Sequence, residues 1–301
     1  MTDEAIDYTE WIGHTEYLED DIGQATAIAA AAMFDESGEQ FATGAELPPL
    51  WHWFYFLPKV RQSMLGNDGH PQRERNSFMP PISYPRRMFA GARLKWHQPL
   101  IVGRPARREA SICNILQKSG RSGALAFVTV RYRIFQQLAD RHVQSTVPHS
   151  ECAGYALCLE EEQDIVYREP GPALPLPEPV ELPPLQNGTW TRVVSPDTRL
   201  LFRFSALTFN AHRIHYDRTY AMSEEGYPGL VVHGPLTAML LLQLVSQHTQ
   251  RRVTSFDFRS QLPLFDLSPF RLVGNLSGTS VALAAQRSDG RTAMNATVQL
   301  E

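Results

Sequence analysis

The first half of the chain alternates apolar and polar residues in a way that predicts β-strands. Residues 86–96, 108–118 and 125–135 mix β-branched and aromatic side chains with polar ones at short intervals, as half-buried strands do. Residues 118–123 contain two glycines between the last two segments and are typical of a hairpin connection. Residues 50–57 hold five aromatic side chains in eight positions and are expected to lie under this sheet or to line a pocket.

The second half predicts one buried helix followed by consecutive strands. Residues 235–245 are apolar on nearly all sides, which is the pattern of a helix surrounded by protein. Strands are predicted at 189–194, 252–262, 270–277, 280–285 and 293–300. A helix in the curl of an antiparallel sheet accounts for this order. The predicted fold class is therefore α+β, with more strands than helices.

A proline-rich stretch divides the chain into two predicted domains. Residues 169–186 contain seven prolines in eighteen positions, which removes backbone donors and predicts an extended connector. We expect an N-terminal domain at 1–168 and a C-terminal domain at 187–301. The first begins with an acidic, alanine-rich head, predicted as a helix at 16–36, and contains a loop rich in Gly, His and Pro at 66–81.

The composition is that of a globular protein, with 43% hydrophobic and 20% charged residues over 301 positions. Three cysteines without CxxC spacing indicate neither a disulfide framework nor a zinc ribbon. The start Met-Thr-Asp-Glu lacks the basic and apolar regions of a signal peptide. No apolar stretch approaches the roughly 18 residues that a membrane span requires. We therefore expect a cytoplasmic protein that does not contact a membrane.

The charges are unevenly distributed. Residues 1–58 carry twelve Asp and Glu and neither Lys nor Arg, whereas the remaining residues carry 28 basic and 20 acidic side chains. A basic body attracts polyanions, which could be nucleic acid or a small nucleotide-bearing substrate. Scattered solvated charges produce the same numbers, so charge alone leaves these alternatives open.

Polar residues are concentrated at 210–217, a segment that we expect to follow directly after a strand. His215 can take a proton from water or return one to carbon near neutral pH. Asn210 can hold that water through its carbonyl oxygen but cannot exchange a proton. His212 and His215 have the i, i+3 spacing of metal ligands, yet a third ligand at suitable spacing is missing from the sequence, so we expect no metal.

A helix start is predicted at 233–235. Pro235 just inside the helix and Gly234 before it are typical of a helix N-terminus. The Gly234 N–H, at the positive end of the helix dipole, suits an oxygen that gains negative charge, although an ordinary capped helix has the same pattern. Residues 233–249 contain neither Asp nor Glu, so this helix supplies no carboxylate to a reaction.

Two spaced motifs resemble those of the MaoC-like (R)-specific enoyl-CoA hydratases and dehydratases. They are N-x-x-x-I-H-x-D at 210–217 and G-x-x-x-H-G-P-L at 229–236. Longer strings resemble one double-hotdog branch of that group, at 51–58, 78–82, 85–91 and 118–123. This branch contains 3-methylfumaryl-CoA (mesaconyl-CoA) hydratase, itaconyl-CoA hydratase and the mitochondrial 3-hydroxyacyl-thioester dehydratase. The resemblance covers almost the whole chain beyond residue 45.

The resemblance implies a double hotdog, with two antiparallel sheets that each wrap around a central helix. His215 falls on the catalytic histidine of the family, and Gly234 falls on the backbone donor to the thioester carbonyl. Asn210 stands where the family usually has an Asp, so His215 is expected to perform both proton transfers while Asn210 positions the water. His212 and Arg213 replace the usual Asn-Pro. The first half lacks a matching motif and is expected to widen the acyl pocket without catalytic groups.

The same resemblance implies reversible addition of water to the double bond of an acyl-CoA. The expected substrate is a short branched dicarboxylyl-CoA, mesaconyl-CoA or itaconyl-CoA, with citramalyl-CoA as the product. Arg86 and Arg87 are candidates for its free carboxylate, because a guanidinium binds a carboxylate through two hydrogen bonds. Surface positions or contacts with the CoA phosphates fit these arginines equally well. His233 is the third expected substrate-binding residue.

Three other functions compete with this expectation. A 3-hydroxyacyl-thioester dehydratase of fatty-acid synthesis would need a long apolar tunnel. A non-catalytic acyl-CoA-binding module would be compatible with Asn210 in place of Asp, whereas a hotdog thioesterase would need an acidic residue on the central helix. The expected reaction uses no metal and no cofactor besides the CoA of the substrate. We expect no nucleic-acid partner, and two hotdogs in one chain already form the usual pair, so a homodimer is open but not required.

Overall fold

The computed structural model describes residues 6–120, 123–137 and 154–301. Its strands are β1 Thr15–Asp20, β2 Arg86–Trp96, β3 Ala106–Gly120, β4 Gly123–Gln137, β5 Tyr155–Arg168, β6 Trp190–Val194, β7 Val253–Ser260, β8 Phe270–Ser277, β9 Ser280–Gln286 and β10 Thr292–Leu300. Its helices are α1 Gln24–Met33, α2 Thr198–Leu207, α3 Arg218–Ser223 and α4 Gly234–His248. The first residues of the chain, Cys152 and the middle of the predicted hairpin connection lie outside the described residues.

The ten strands in the described ranges form one antiparallel sheet, in the order β1-β3-β4-β5-β2-β7-β10-β9-β8-β6. The first five belong to the first half of the chain and the last five to the second half. They are joined where β2 pairs with β7, with Gly91 opposite Arg259. A Cβ at Gly91 would lie 2.3 Å from the carbonyl oxygen of Phe258, so this junction requires a residue without a side chain. The α+β class is confirmed, but the two predicted sheets are one, because their facing edges satisfy each other's backbone groups.

α4 is the helix that the second half of the sheet encloses. His233 is its N-cap, Pro235 lies in its first turn, and nine of its fifteen residues are buried. It packs against β6, β8, β9 and β10, as the apolar pattern at 235–245 predicts. In the first half, α1 packs against α2 and the 3-10 turn Trp51–Phe54, within the same apolar core.

The acidic head is not one helix over 16–36, so this prediction was wrong. β1 occupies its first part and pairs with β3 at the edge of the sheet. Glu19 on β1 lies 2.9 Å from Arg107 on β3, an opposite-charge pair between neighbouring strands. α1 begins only at Gln24, after Gly23 as its N-cap. Cross-strand pairing with a basic neighbour therefore outweighs the helix propensity of the head.

Two other elements differ from the prediction. Segment 210–217 follows α2 rather than a strand, and the side chain of Asp197 caps α2 by accepting the Leu200 N–H at 2.9 Å. The pattern did not predict β5, which pairs with both β4 and β2. Its run of carboxylates conceals the strand pattern, yet Glu162 is bound by both Arg93 and Arg131 of the neighbouring strands.

The proline-rich stretch contains neither helix nor strand from 169 to 186 and runs along the second half. Leu174 N–H donates to the Gly226 carbonyl at 2.8 Å, and Val180 N–H donates to the Ser288 carbonyl at 2.9 Å. The domain limits drawn on either side of it stay a prediction. Over the described ranges, every helix is too short or too polar to cross a bilayer.

Candidate active site

A cavity of about 1380 Å³ opens between the two halves of the chain. The first half contributes aromatic side chains such as Trp53 and Phe56, the loop at 69–73 and the start of β2. The second half contributes the end of α2, residues 208–212 and 214–216, and the N-terminus of α4. The aromatic run at 50–57 thus does both things that were predicted for it, since Trp51 and Phe54 are buried while its neighbours line the cavity.

His215 lies in this cavity at the end of the 3-10 turn Arg213–His215 and is buried. Its Nδ1 lies 2.7 Å from the carbonyl oxygen of Val231. A carbonyl oxygen only accepts, so the proton is on Nδ1 and Nε2 keeps a free lone pair. Burial lowers the pKa of His215 to about 4. The ring is therefore a neutral base that can accept a proton from water at neutral pH.

The ring of His233 packs against one face of the His215 ring. The two rings are stacked, with centroids 3.6 Å apart and planes 19° apart. Its Nε2 lies 2.9 Å from the Ser205 hydroxyl, and burial lowers the pKa of His233 well below its usual value. The side chain is only 1% exposed, so it offers almost no surface to a ligand. This geometry points to a role in orienting His215.

Asn210 lines the cavity and organises the turn that carries the histidines. Its Oδ1 accepts the backbone N–H of His212 at 3.0 Å, which forms an Asx turn. An amide oxygen has two lone pairs, so one lone pair and the NH₂ group stay available to a water molecule. The side chain therefore has a structural task besides the predicted one.

Two hydrogen-bond donors lie side by side near the start of α4. Gly234 is the first residue of the helix, so its N–H has no acceptor within the helix. A Cβ on Gly234 would lie 3.6 Å from the hydroxyl of Ser260, at the end of β7. This hydroxyl is buried, has no partner in the described part of the chain, and lines the same cavity. Ser260 was not predicted from the sequence, because a single serine at a strand end carries no motif.

The two predicted arginines have different environments. Arg86 is buried, with Nε 3.1 Å from a carboxylate oxygen of Glu225, and its Nη2 donates to the backbone carbonyl of the same residue at 2.7 Å. Arg87 also lines the cavity, but it has no hydrogen bond or ion pair to any described residue. Of these two arginines, Arg87 is the one without an anionic partner among the described residues.

A second imidazole pair was not predicted, because it joins the loop at 66–81 to the motif at 210–217. The ring of His70 lies against that of His212, with centroids 4.0 Å apart. His212 in turn meets the edge of His215 at 5.3 Å and 88°. Asp68 lies 3.0 Å from Nδ1 of His70. The first half therefore brings titratable groups to the cavity, and its role in widening the acyl pocket without catalytic groups stays a prediction.

A family model described as "Hydroxyacyl-thioester dehydratase type 2" matches residues 50–266. The chain belongs to this family. It is 60% identical over 296 residues to "Mesaconyl-C(4)-CoA hydratase" of Chloroflexus aurantiacus, covering 98% of this chain and 99% of the relative. It is 28% identical over 250 residues to "Hydroxyacyl-thioester dehydratase type 2, mitochondrial" of Schizosaccharomyces pombe, covering 76% and 79% of the two chains.

Among solved structures, a "MaoC-like dehydratase" superposes with a TM-score of 0.70 at 13% identity, covering 98% of this chain and 99% of the other. Its low identity makes this a likeness of fold. Together the comparisons confirm the MaoC-like double-hotdog fold, the family resemblance and the hydro-lyase class of enzyme.

Proposed function

We propose that this protein adds water reversibly to the double bond of an α,β-unsaturated acyl-CoA. The observation that carries the proposal is the placement of a neutral His215, whose Nε2 has no hydrogen-bond partner among the described residues, in one cavity with the N-terminus of α4 at Gly234. A general base and a donor for a developing oxyanion are the two groups that this reaction needs. The reaction uses no cofactor besides the CoA of the substrate.

In the proposed reaction, the thioester carbonyl oxygen accepts the Gly234 N–H and the Ser260 hydroxyl, which makes the β-carbon electrophilic. Water held at Asn210 gives a proton to Nε2 of His215 while its oxygen bonds to the β-carbon. The electron pair of the double bond moves toward the thioester and forms an enolate, which the two donors stabilise. His215 then returns the proton to the α-carbon. Orientation and charge stabilisation drive this sequence without a covalent enzyme intermediate.

For the substrate we propose mesaconyl-C(4)-CoA, which would give citramalyl-CoA. A 60% identical relative carries the name of a hydratase of this thioester. A dicarboxylyl chain also needs a cationic partner, and Arg87 is unpaired among the described residues while Arg86 is occupied by Glu225. We therefore assign the free carboxylate to Arg87. Itaconyl-CoA is the second substrate to be tried.

The decisive experiment measures hydration rates on mesaconyl-C(4)-, itaconyl- and crotonyl-CoA with wild type and His215→Gln. We expect mesaconyl-C(4)-CoA to be preferred and the variant to lose about 10²–10⁴ in kcat, the usual contribution of a general base. His97→Gln is a matched control, since this half-exposed histidine pairs with Glu160 away from the cavity. Full turnover by His215→Gln would refute the assignment of the base.

A dehydratase of 3-hydroxyacyl thioesters is the second candidate, because the family model carries that description. Long straight chains are uncharged at the far end and do not need Arg87. Turnover restricted to such chains, and unaffected by Arg87→Met, would favour the dehydratase. Tight binding of all thioesters without turnover would instead indicate a binding module. The cytoplasmic location and a homodimer stay predictions.

A further inference from the structure

The loop at 66–70 of the first half is fixed against the histidine motif of the second half. Gly69 has φ +89°, and a Cβ there would lie 1.7 Å from the carbonyl oxygen of Ala211, so no other residue fits. Arg213 N–H donates to the backbone carbonyl of Asp68 at 2.9 Å. The guanidinium of Arg213 also donates to the carbonyl of Asn67 at 3.0 Å. This contact places the loop residues at a defined position in the cavity.

Within this loop, Asp68 orients His70 through two contacts. One carboxylate oxygen accepts the backbone N–H of His70 at 3.0 Å, and the other lies 3.0 Å from Nδ1 of its ring. Although burial opposes it, the hydrogen bonds from His70 lower the pKa of Asp68, so this carboxyl is ionised and accepts. Nδ1 therefore carries the proton, and Nε2 of His70 has a free lone pair. No ring nitrogen of His212 is hydrogen-bonded within the described part of the chain.

The charged groups around these two rings are mostly positive. Burial, together with Arg87 and Arg73, lowers the pKa of His70 against the opposing influence of Asp68. Burial, with His70 and the other imidazoles and Arg87, lowers the pKa of His212 as well. Asp68 is the carboxylate that acts on His70. The cavity lining therefore holds two neutral imidazoles together with the Arg87 guanidinium, which is unpaired among the described residues.

We propose that His70 and His212, together with Arg87, form the site of the substrate's free carboxylate, and that the imidazole pair takes up one proton when the carboxylate binds. The inference rests on the proposed function. In mesaconyl-C(4)-CoA the free carboxylate is attached to the β-carbon, the carbon that receives the hydroxyl group. Its site must therefore adjoin His215, and His212 is in edge contact with that ring.

The proton uptake follows from the charges on either side of His70. Asp68 faces Nδ1, and a substrate carboxylate near Nε2 would place a second anion on the opposite side of the ring. Two flanking anions favour the imidazolium over the neutral ring. The proton comes from solvent, binds the free lone pair of an imidazole nitrogen, and returns to solvent when the product leaves. No covalent bond is made or broken in this step.

An anion fits this cluster better than a cation does. The donor atoms of Asp68, His70 and His212 lie within 4.8 Å of one another, which is also compatible with a metal ion. However, Arg87 and Arg73 act on the same imidazoles with positive charge, and Asp68 is already engaged with His70. A cation would add to this repulsion, whereas a carboxylate relieves it.

The test compares two unreactive ligands that differ only in the charged group. Methylsuccinyl-CoA, with its thioester at the carbon far from the methyl branch, is the saturated form of mesaconyl-C(4)-CoA, and isovaleryl-CoA has a methyl group in place of its carboxylate. Calorimetric titration at pH 7 and 8, in phosphate and in Tris, gives the number of protons bound with each ligand. We expect uptake of up to one proton with methylsuccinyl-CoA and none with isovaleryl-CoA. The Kd of the former should rise by up to about tenfold per pH unit where uptake is complete.

Two variants separate this inference from a general loss of structure. Asp68→Asn keeps the neutral hydrogen bond but removes the flanking charge, and His70→Asn removes the ring. Both should reduce the proton uptake and raise the Kd of methylsuccinyl-CoA by about tenfold, while the Kd of isovaleryl-CoA stays unchanged. His97→Asn, from a histidine–carboxylate pair outside the cavity, should behave as wild type.

Each remaining result has a defined meaning. Equal uptake with both ligands, or normal uptake in both variants, would overturn the inference even if mesaconyl-C(4)-CoA is hydrated. Binding of methylsuccinyl-CoA that disappears with a chelator and returns with Zn²⁺ would also overturn it. Failure of the proposed function shows differently, as the absence of mesaconyl-C(4)-CoA hydration by the wild-type protein.

Discussion

Burial of His215 makes the stability of the folded protein depend on pH in a way that one substitution can isolate. An unfolded histidine has a pKa of about 6.5, whereas burial lowers the pKa of His215 to about 4. Between these values the unfolded chain binds a proton that the folded chain does not, so stability falls as the pH drops from 6.5 toward 4. From pH 7.5 to pH 5 this single group costs about 2 kcal/mol, at about 1.4 kcal/mol per unit of pKa.

His215→Gln removes the titrating group and therefore this part of the pH dependence. Urea unfolding followed by tryptophan fluorescence at pH 7.5, 6 and 5 gives the free energy of unfolding of both proteins. Loss of the stacking on His233 lowers the free energy of unfolding of the variant by the same amount at each pH. The quantity to compare is therefore the change in the free energy of unfolding with pH. We expect wild type to lose about 2 kcal/mol more than the variant over this range. Parallel curves would show that His215 titrates alike in both states, and would refute its assignment as a buried neutral base.

Three further substitutions test the cavity. Arg87→Met should raise the KM for mesaconyl-C(4)-CoA by about 10–100-fold, since a hydrogen bond between charged groups is lost, while crotonyl-CoA kinetics stay unchanged; an equal effect on both would contradict the assignment. Gly69→Ala should lower the free energy of unfolding by about 3 kcal/mol or more, because its Cβ would lie 1.7 Å from the Ala211 carbonyl oxygen. A loss below about 1 kcal/mol in urea unfolding would show that the loop moves to accommodate the added Cβ. Ser260→Ala should reduce kcat by about 10²–10³ with little change in KM, as for one oxyanion donor. Ser288→Ala is its control, because it removes another buried hydroxyl that has no partner among the described residues and lies outside the cavity lining, and equal rates for both would argue against the donor role.

Local patterns predicted those elements whose own apolar and polar residues mark them as a strand or a helix. β2 and β8 have the predicted limits, and α4 lies where the apolar run placed it. β1 was mistaken for a helix because its acidic residues are stabilised by arginines on β3, a neighbour that is distant in sequence. β5 escaped prediction for the same reason, since its carboxylates are paired with basic residues on adjacent strands.

In the candidate site too, some residues were predicted from local patterns and others depend on contacts that are distant in sequence. The spacing at 210–217 and 229–236 identified His215, Asn210 and Gly234 as candidates, because these groups lie close together along the chain. Neighbouring positions on β2 could not distinguish Arg86 from Arg87, since only contact with Glu225 decides which of them is occupied.

The sequence by itself determined the α+β class, the buried helix with its uncharged face, and the histidine motif, all of which depend on residue type and short spacing. The tertiary structure alone decided that the two halves share one sheet and that His70 meets His212. It also decided that His215 is neutral, since its pKa depends on burial and on the carbonyl of Val231. Burial and charge pairing depend on contacts between residues that are far apart in the chain, so a short stretch of sequence does not determine them.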